Sequence, residues 1–175
     1  MNKRIDNARI DHLKPDDISV YPANLEYPDA EIVTDYSLQY IKNELLRFEK
    51  MLYDAEYFDN WEKVLQCTDW DSFVDYYIIN EFFQNYDAGV RSTYLYKNLG
   101  GKFSIGPVWD FDGAFDNFTG MDFSPDMLEL ESTFYYFYLC HNAEFVERCN
   151  ERYDELRKTV LSEKYLLQYI DDSSM

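Results

Sequence analysis

The stretch TYLYKNLGGKFSIGPVWDFDG, residues 93–113, carries the clearest fold signal in the chain. Its opening, Thr93 to Lys97, is rich in β-branched and aromatic residues. Asn98, Leu99, Gly100 and Gly101 supply a turn, and Lys102, Phe103, Ser104 and Ile105 return to strand-forming types, so a β-hairpin is predicted. The second strand continues through Gly106 and Pro107 into Val108 and Trp109, leaving Asp110, Phe111, Asp112 and Gly113 at a strand end. Strand ends that open into loops are common places for chemistry.

Upstream of the hairpin, Asp69 or Asp71 can cap a helix running through Phe73, Tyr77, Ile78, Glu81 and Phe82, which reads as largely buried. The period is lost at Asn85, and Gly89 permits a bend, so a loop containing Asp87 is expected. Farther back, Thr34 caps a predicted helix with apolar residues at Leu38, Ile41, Leu45, Phe48 and Leu52. Residues 1–33 are polar, contain Pro15, Pro22 and Pro28, and show no period, which suits an extended arm or connector. Downstream, three apolar stretches, Phe134 to Leu139, Phe145 to Leu156 and Val160 to Ile170, predict helices. The expected fold class is α+β, mostly α-helical, with one hairpin carrying an acidic site on a single domain from 34 to 175.

Composition narrows the function classes. With 34 acidic against 16 basic residues, the net charge of −18 repels phosphodiester backbones and anionic lipid, so no nucleic acid and no membrane partner is expected. A basic protein is the macromolecule such a field attracts; a solvated acidic exterior that maintains solubility explains the charge equally well. Hydrophobic residues make up 46% of the chain, including 17 Tyr and 13 Phe, enough for a packed interior. Cys67, Cys140 and Cys149 form no CxxC pair and read as buried thiols. The N-terminal Met1, Asn2, Lys3, Arg4, Ile5 and Asp6 open no apolar run of the signal-peptide or membrane-spanning kind.

Two acidic points bracket the hairpin: Asp87 at the end of a buried helix, and Asp110 with Asp112, beginning 23 positions later. A hairpin folds such positions toward each other, so the three carboxylates can converge. Hard cations, Mg²⁺, Mn²⁺ or Ca²⁺, suit an oxygen cluster and offset its like-charge repulsion. Zinc is disfavoured because His12 and His141 are distant in sequence and no cysteine is near. Spacing alone leaves a plain alternative open, in which Asp87 and Asp110 are turn or cap residues.

The residues from Ser72 to Asn117 closely resemble the CotH kinase family, named for a spore coat protein. The motifs are Asn80-Glu81, Asn85-Tyr86-Asp87, Ser92-Thr93-Tyr94-Leu95-Tyr96-Lys97 and Gly106-Pro107-Val108-Trp109-Asp110-Phe111-Asp112, in family order. Weaker likeness extends upstream through Tyr27-Pro28-Asp29 and downstream through Phe145-Val146-Glu147-Arg148 and Leu156-Arg157. The resemblance implies a protein-kinase-like C-terminal lobe, ATP and Mg²⁺ (or Mn²⁺) as cofactors, and Ser or Thr of a protein substrate as acceptor; the acidic charge makes a basic, Ser-rich substrate one candidate. Carried over by position, Asp87 resembles the catalytic-loop Asp and Asp110 the metal-binding Asp. Asp112 is expected to share the metal or position a ligand water. Trp109, beside the metal position, is expected in the core, with packing near the nucleotide as the alternative.

Departures from the family pattern bear on activity. A kinase catalytic loop places an Asn five residues after its Asp as a second metal ligand, and here that position is Ser92. Asp116-Asn117 stands where the family often has Gly-Asn, adding negative charge near the phosphates. No strand-rich segment precedes residue 27 to form a nucleotide-holding N-terminal lobe, so the expectation is a C-terminal lobe inactive by itself. The competing readings are a non-catalytic scaffold that retains the fold and, more remotely, a hydrolase using paired acids. Location is open, with spore coat or cell envelope following from the resemblance.

Overall fold

The computed structural model describes residues 9–10, 23–29, 31–53, 61–115, 117, 128 and 130–174. Among these, the order of elements is β1 (Arg9–Ile10), β2 (Ala23–Asn24), α1 (Asp35–Tyr53), α2 (Trp61–Cys67), α3 (Trp70–Phe82), β3 (Leu95–Lys97), β4 (Phe103–Ile105), α4 (Phe134–Leu139), α5 (Ala143–Arg157) and α6 (Glu163–Ser173). The fold is mostly helical with small antiparallel sheets, as an α+β class requires. Strands β1 and β2 pair antiparallel within the stretch expected to be an extended arm, while Pro15, Pro22 and most of that arm lie outside the described residues.

Helix α1 begins where Thr34 predicts. The Ser37 amide donates to Thr34 Oγ1 at 3.1 Å and the Thr34 amide donates to Ser37 Oγ at 2.9 Å, a reciprocal cap that satisfies two amides at the helix entry. Its apolar spacing buries Leu45, Phe48 and Leu52 on one face. Helix α2 was hidden in sequence because its buried residues, Trp61, Val64 and Cys67, span only two turns.

Helix α3 buries Phe73, Val74, Tyr76, Ile78 and Asn80. Neither Asp69 nor Asp71 caps it through a side chain. Asp69 sits at the N-cap position, yet its carboxylate accepts from Ser104 Oγ at 3.0 Å on β4, while its amide donates to the Phe103 carbonyl at 2.7 Å. Asp71 instead pairs with Arg148 on α5. The predicted hairpin forms, with Leu95 opposite Ile105, Tyr96 opposite Ser104 and Lys97 opposite Phe103, but its second strand stops at Ile105 instead of continuing to Trp109, since Gly106 has φ 120° and Pro107 has no amide to donate. Strand β4 is buried along its length because α1 and α3 cover it.

The core is aromatic. Phe48 stacks on Phe103 at 5.0 Å between ring centroids and meets Tyr135 edge-on at 5.3 Å, joining α1, β4 and α4. Trp70 and Tyr77 of α3 both meet the Phe145 ring edge-on, at 4.9 and 5.8 Å, which seats α5. Two tyrosine hydroxyls inside are partnered: Tyr135 donates to the fully buried Glu49 at 3.0 Å, and Tyr136 donates to the Phe73 carbonyl at 2.9 Å. Helix α6 buries no residue, although its amphipathic spacing led to its prediction.

Candidate active site at the end of α3

The C-terminus of α3 is built to deliver Asp87. Past Phe82 the chain turns into the left-handed region at Gln84, with φ 49°, and the Asn85 amide reaches back to the Asn80 carbonyl at 2.9 Å. Asn85 Nδ2 donates to Asn80 Oδ1 at 3.0 Å, and Asn80 Nδ2 donates to the Tyr76 carbonyl at 2.8 Å, so a buried amide ladder anchors the loop to the helix. The Asp87 carbonyl then accepts from the Arg91 amide at 2.9 Å, closing a single tight turn. Gly89 is required inside it: φ is +79°, and a Cβ there would stand 2.9 Å from Thr133 Cβ. Thr93 Oγ1 accepts from the Gly89 amide at 2.8 Å and from the Tyr76 hydroxyl at 3.1 Å while donating to the Arg91 carbonyl at 2.7 Å. One threonine thereby fixes the whole turn.

Asp110 arrives from the hairpin. Past β4, the Gly106 amide still bonds the Tyr94 carbonyl at 2.9 Å, and Asp110 adopts a left-handed conformation, φ 62° and ψ 62°, before a short 3₁₀ turn at Phe111–Gly113. The Phe115 amide donates to the Phe83 carbonyl at 2.9 Å, and the Phe83 ring lies 4.8 Å from Phe115 and 6.1 Å from Phe111. The acidic run is thus tied back to the end of α3.

Asp87 and Asp110 meet on one hydroxyl. Ser92 Oγ lies 3.3 Å from Asp87 Oδ2 and 3.1 Å from Asp110 Oδ2. A hydroxyl has one proton, so it donates fully to only one of the two carboxylates at a time. Such a donor set could hold a cation. Adjacent ligands of an octahedral ion with oxygens at about 2.1 Å stand about 3 Å apart, so these spacings fit a Mg²⁺ or Mn²⁺ edge, and all three donors are hard oxygens. Asp110 is exposed and Asp87 and Ser92 are half-buried, which leaves the group open to an incoming ligand.

The other expected site residues sit differently. No three His, Cys, Asp or Glu side chains converge among the described residues, so the expected cluster of three carboxylates is not formed. Asp112 is exposed in the 3₁₀ turn, its carbonyl held by Asn117 Nδ2 at 2.7 Å. Trp109 is 59% exposed, so the expectation that it is a core residue was wrong; its ring stands open one residue from Asp110. Asp116 lies outside the described residues. Tyr76, Asn80 and Thr93 escaped sequence reasoning as site supports, because their contribution depends on hydrogen bonds closed only in the fold.

A family model described as CotH kinase protein matches residues 4–174, nearly the whole chain. No curated protein and no solved structure matches it.

Proposed function

The chain belongs to the CotH kinase family, and from that premise we propose that it transfers phosphate from ATP to a Ser or Thr hydroxyl of a protein substrate. The observation that carries this reading is the single Ser92 hydroxyl spanning the Asp87 and Asp110 carboxylates. In this role Asp87 orients the acceptor hydroxyl and accepts its proton as the oxygen bonds to the γ-phosphorus of ATP and the bond from that phosphorus to the departing ADP oxygen breaks. Asp110 and Ser92 would hold Mg²⁺, and Asp112, in the adjoining 3₁₀ turn, would share the ion or position a ligand water. The bound ion supplies charge neutralisation at the phosphates. The exposed Trp109 ring offers a face for the nucleotide.

The chain acts as a C-terminal lobe in this reading, with the lysine that grips the phosphates supplied by a separate lobe. In support, the hairpin lysines are engaged elsewhere: Lys97 Nζ lies 3.5 Å from Glu44, and Lys102 Nζ donates to the Leu65 carbonyl at 2.8 Å. A scaffold that lost catalysis is the second reading, favoured by Ser92 standing where kinases carry an Asn metal ligand.

The test is radiolabelled phosphate incorporation into a basic, Ser-rich protein, with Mg²⁺ or Mn²⁺, by residues 1–175 alone and joined to an N-terminal lobe. Transfer by the joined protein, lost in Asp87→Ala and Asp110→Ala, is expected, with little from residues 1–175. No transfer by a folded, ATP-binding joined protein would establish the scaffold reading, and robust transfer by residues 1–175 would refute the need for a second lobe.

A further inference from the structure

Gly113 closes the 3₁₀ turn that begins just after Asp110, and its backbone φ lies outside the left-handed region, so conformation does not demand glycine there. A neighbour does. A Cβ on Gly113 would overlap Tyr86 Cε1 and stand 2.9 Å from Cδ1 and 3.5 Å from Cζ, so the edge of the Tyr86 ring lies directly on the Gly113 backbone. Tyr86 immediately precedes Asp87. The ring therefore connects the segment carrying one site carboxylate to the segment carrying the other, and it does so at the closest approach a glycine permits.

The same two segments hold the left-handed non-glycine residues of the described chain: Gln84, Ser92, Asp110 and Phe115, with φ between 48° and 62°. Such conformations persist only where surrounding contacts enforce them. Hydrogen bonds already account for Gln84 and Phe115, at Glu81 and Phe83 respectively. Around the Asp110 turn, the Tyr86 ring against Gly113 stands between the two segments, while the Phe83 contacts to Phe111 and Phe115 draw them together. We propose that Tyr86 and Gly113 are positioning residues, a spacer whose thickness sets the separation of the Asp87 and Asp110 carboxylates and so the size of the cation they accept. This rests on Asp87 and Asp110 forming one cation site.

The spacer predicts a specific reversal. Gly113→Ala adds a methyl group against the ring and pushes the turns apart; Tyr86→Leu thins the ring, so the double variant regains the wild-type separation. The readouts are backbone amide NMR of the whole chain without metal, following Asp87, Ser92 and Asp110, and Mn²⁺ affinity by electron paramagnetic resonance. Expected in Gly113→Ala are shifted amides at all three positions and Mn²⁺ affinity weakened roughly 10-fold, the lower range for residues that orient metal ligands. Both should return toward wild type in the double variant, and Tyr86→Leu alone should shift the same amides. If Gly113→Ala fails to fold, folding of the double variant together with the Tyr86→Leu shifts supports the spacer. Unmoved Asp87 and Ser92 amides in the variants, or a double variant no nearer wild type than Gly113→Ala, would overturn it. Wild-type chain that binds no Mn²⁺ while the amide shifts reverse would uphold the spacer and sink the metal reading instead.

Discussion

Helix α3 meets a serine hydroxyl and an aspartate carboxylate at each of its ends, and the two ends differ in a way that separates structure from chemistry. At its start, Asp69 accepts from Ser104 Oγ at 3.0 Å while its amide bonds Phe103, Ser72 Oγ donates to the Asp69 carbonyl at 2.7 Å, and the Ile105 amide donates to Ser72 Oγ at 3.2 Å. One hydroxyl serves one carboxylate there, and none of these residues is left-handed. Past its end, one hydroxyl serves two carboxylates, and Gln84, Ser92 and Asp110 are left-handed. Balanced hydrogen bonding locks the hairpin to the helix, whereas the unbalanced cluster retains the charge and strain on which the proposed function draws.

The contrast breaks most visibly in activity. In a protein competent for transfer, Asp87→Ala should lower kcat by about 10² to 10⁴, the range for losing a positioned acid–base group, with a thermal midpoint close to wild type. Asp69→Ala should do the reverse, leaving kcat unchanged and lowering stability by about 1–3 kcal/mol through the orphaned, buried Ser104 hydroxyl. If Asp69→Ala cost activity as heavily as Asp87→Ala, the two ends would not be functionally distinct.

Stability itself should follow the core. Phe48→Ala, opening a cavity against Phe73, Phe103 and Tyr135, is expected to cost about 3–5 kcal/mol in urea unfolding, larger than any change at the acidic cluster. Arg152→Ala, which removes the exposed pair to Asp75 at 2.8 Å, should cost under about 1 kcal/mol and less still in high salt.

A smaller effect appears with pH. Burial pushes the Cys140 and Cys149 thiols up to about 12 from an ordinary 9.0, and burial also raises Tyr135 and Tyr136. Above pH 9 the unfolded chain therefore binds fewer protons than the folded one, so stability is full below pH 9 and falls as pH rises toward 12. Urea midpoints at pH 8 and pH 10.5 check the sign, and equal midpoints would contradict it. The same burial predicts slow alkylation of all three cysteines in the folded chain at pH 8.

Much of this was legible in sequence, for physical reasons. Helix α1 and the hairpin announce themselves through a capped 3.6-residue period and a Gly100-Gly101 turn, both local signals. The approach of Asp87 to Asp110 was legible as well, since a hairpin returns the chain to its starting side. The fate of Asp69, Asp112 and Trp109 was not. Asp69 has the right position for a cap, but a serine 35 residues away takes its carboxylate. Trp109 has the size of a core residue, yet strand β4 ends at Ile105, and the chain beyond it carries Val108 and Trp109 into solvent. The Tyr86 contact on Gly113 was equally invisible, because a glycine in a loop reads first as conformational freedom.

Whether Asp87, Ser92 and Asp110 form one cation site is decided by titrating Mn²⁺ into the wild-type chain and its Asp87→Ala, Asp110→Ala and Asp69→Ala variants. One weak site is expected, lost in Asp110→Ala, weakened in Asp87→Ala and untouched in Asp69→Ala. Binding curves for Asp110→Ala and wild type that superimpose would contradict it.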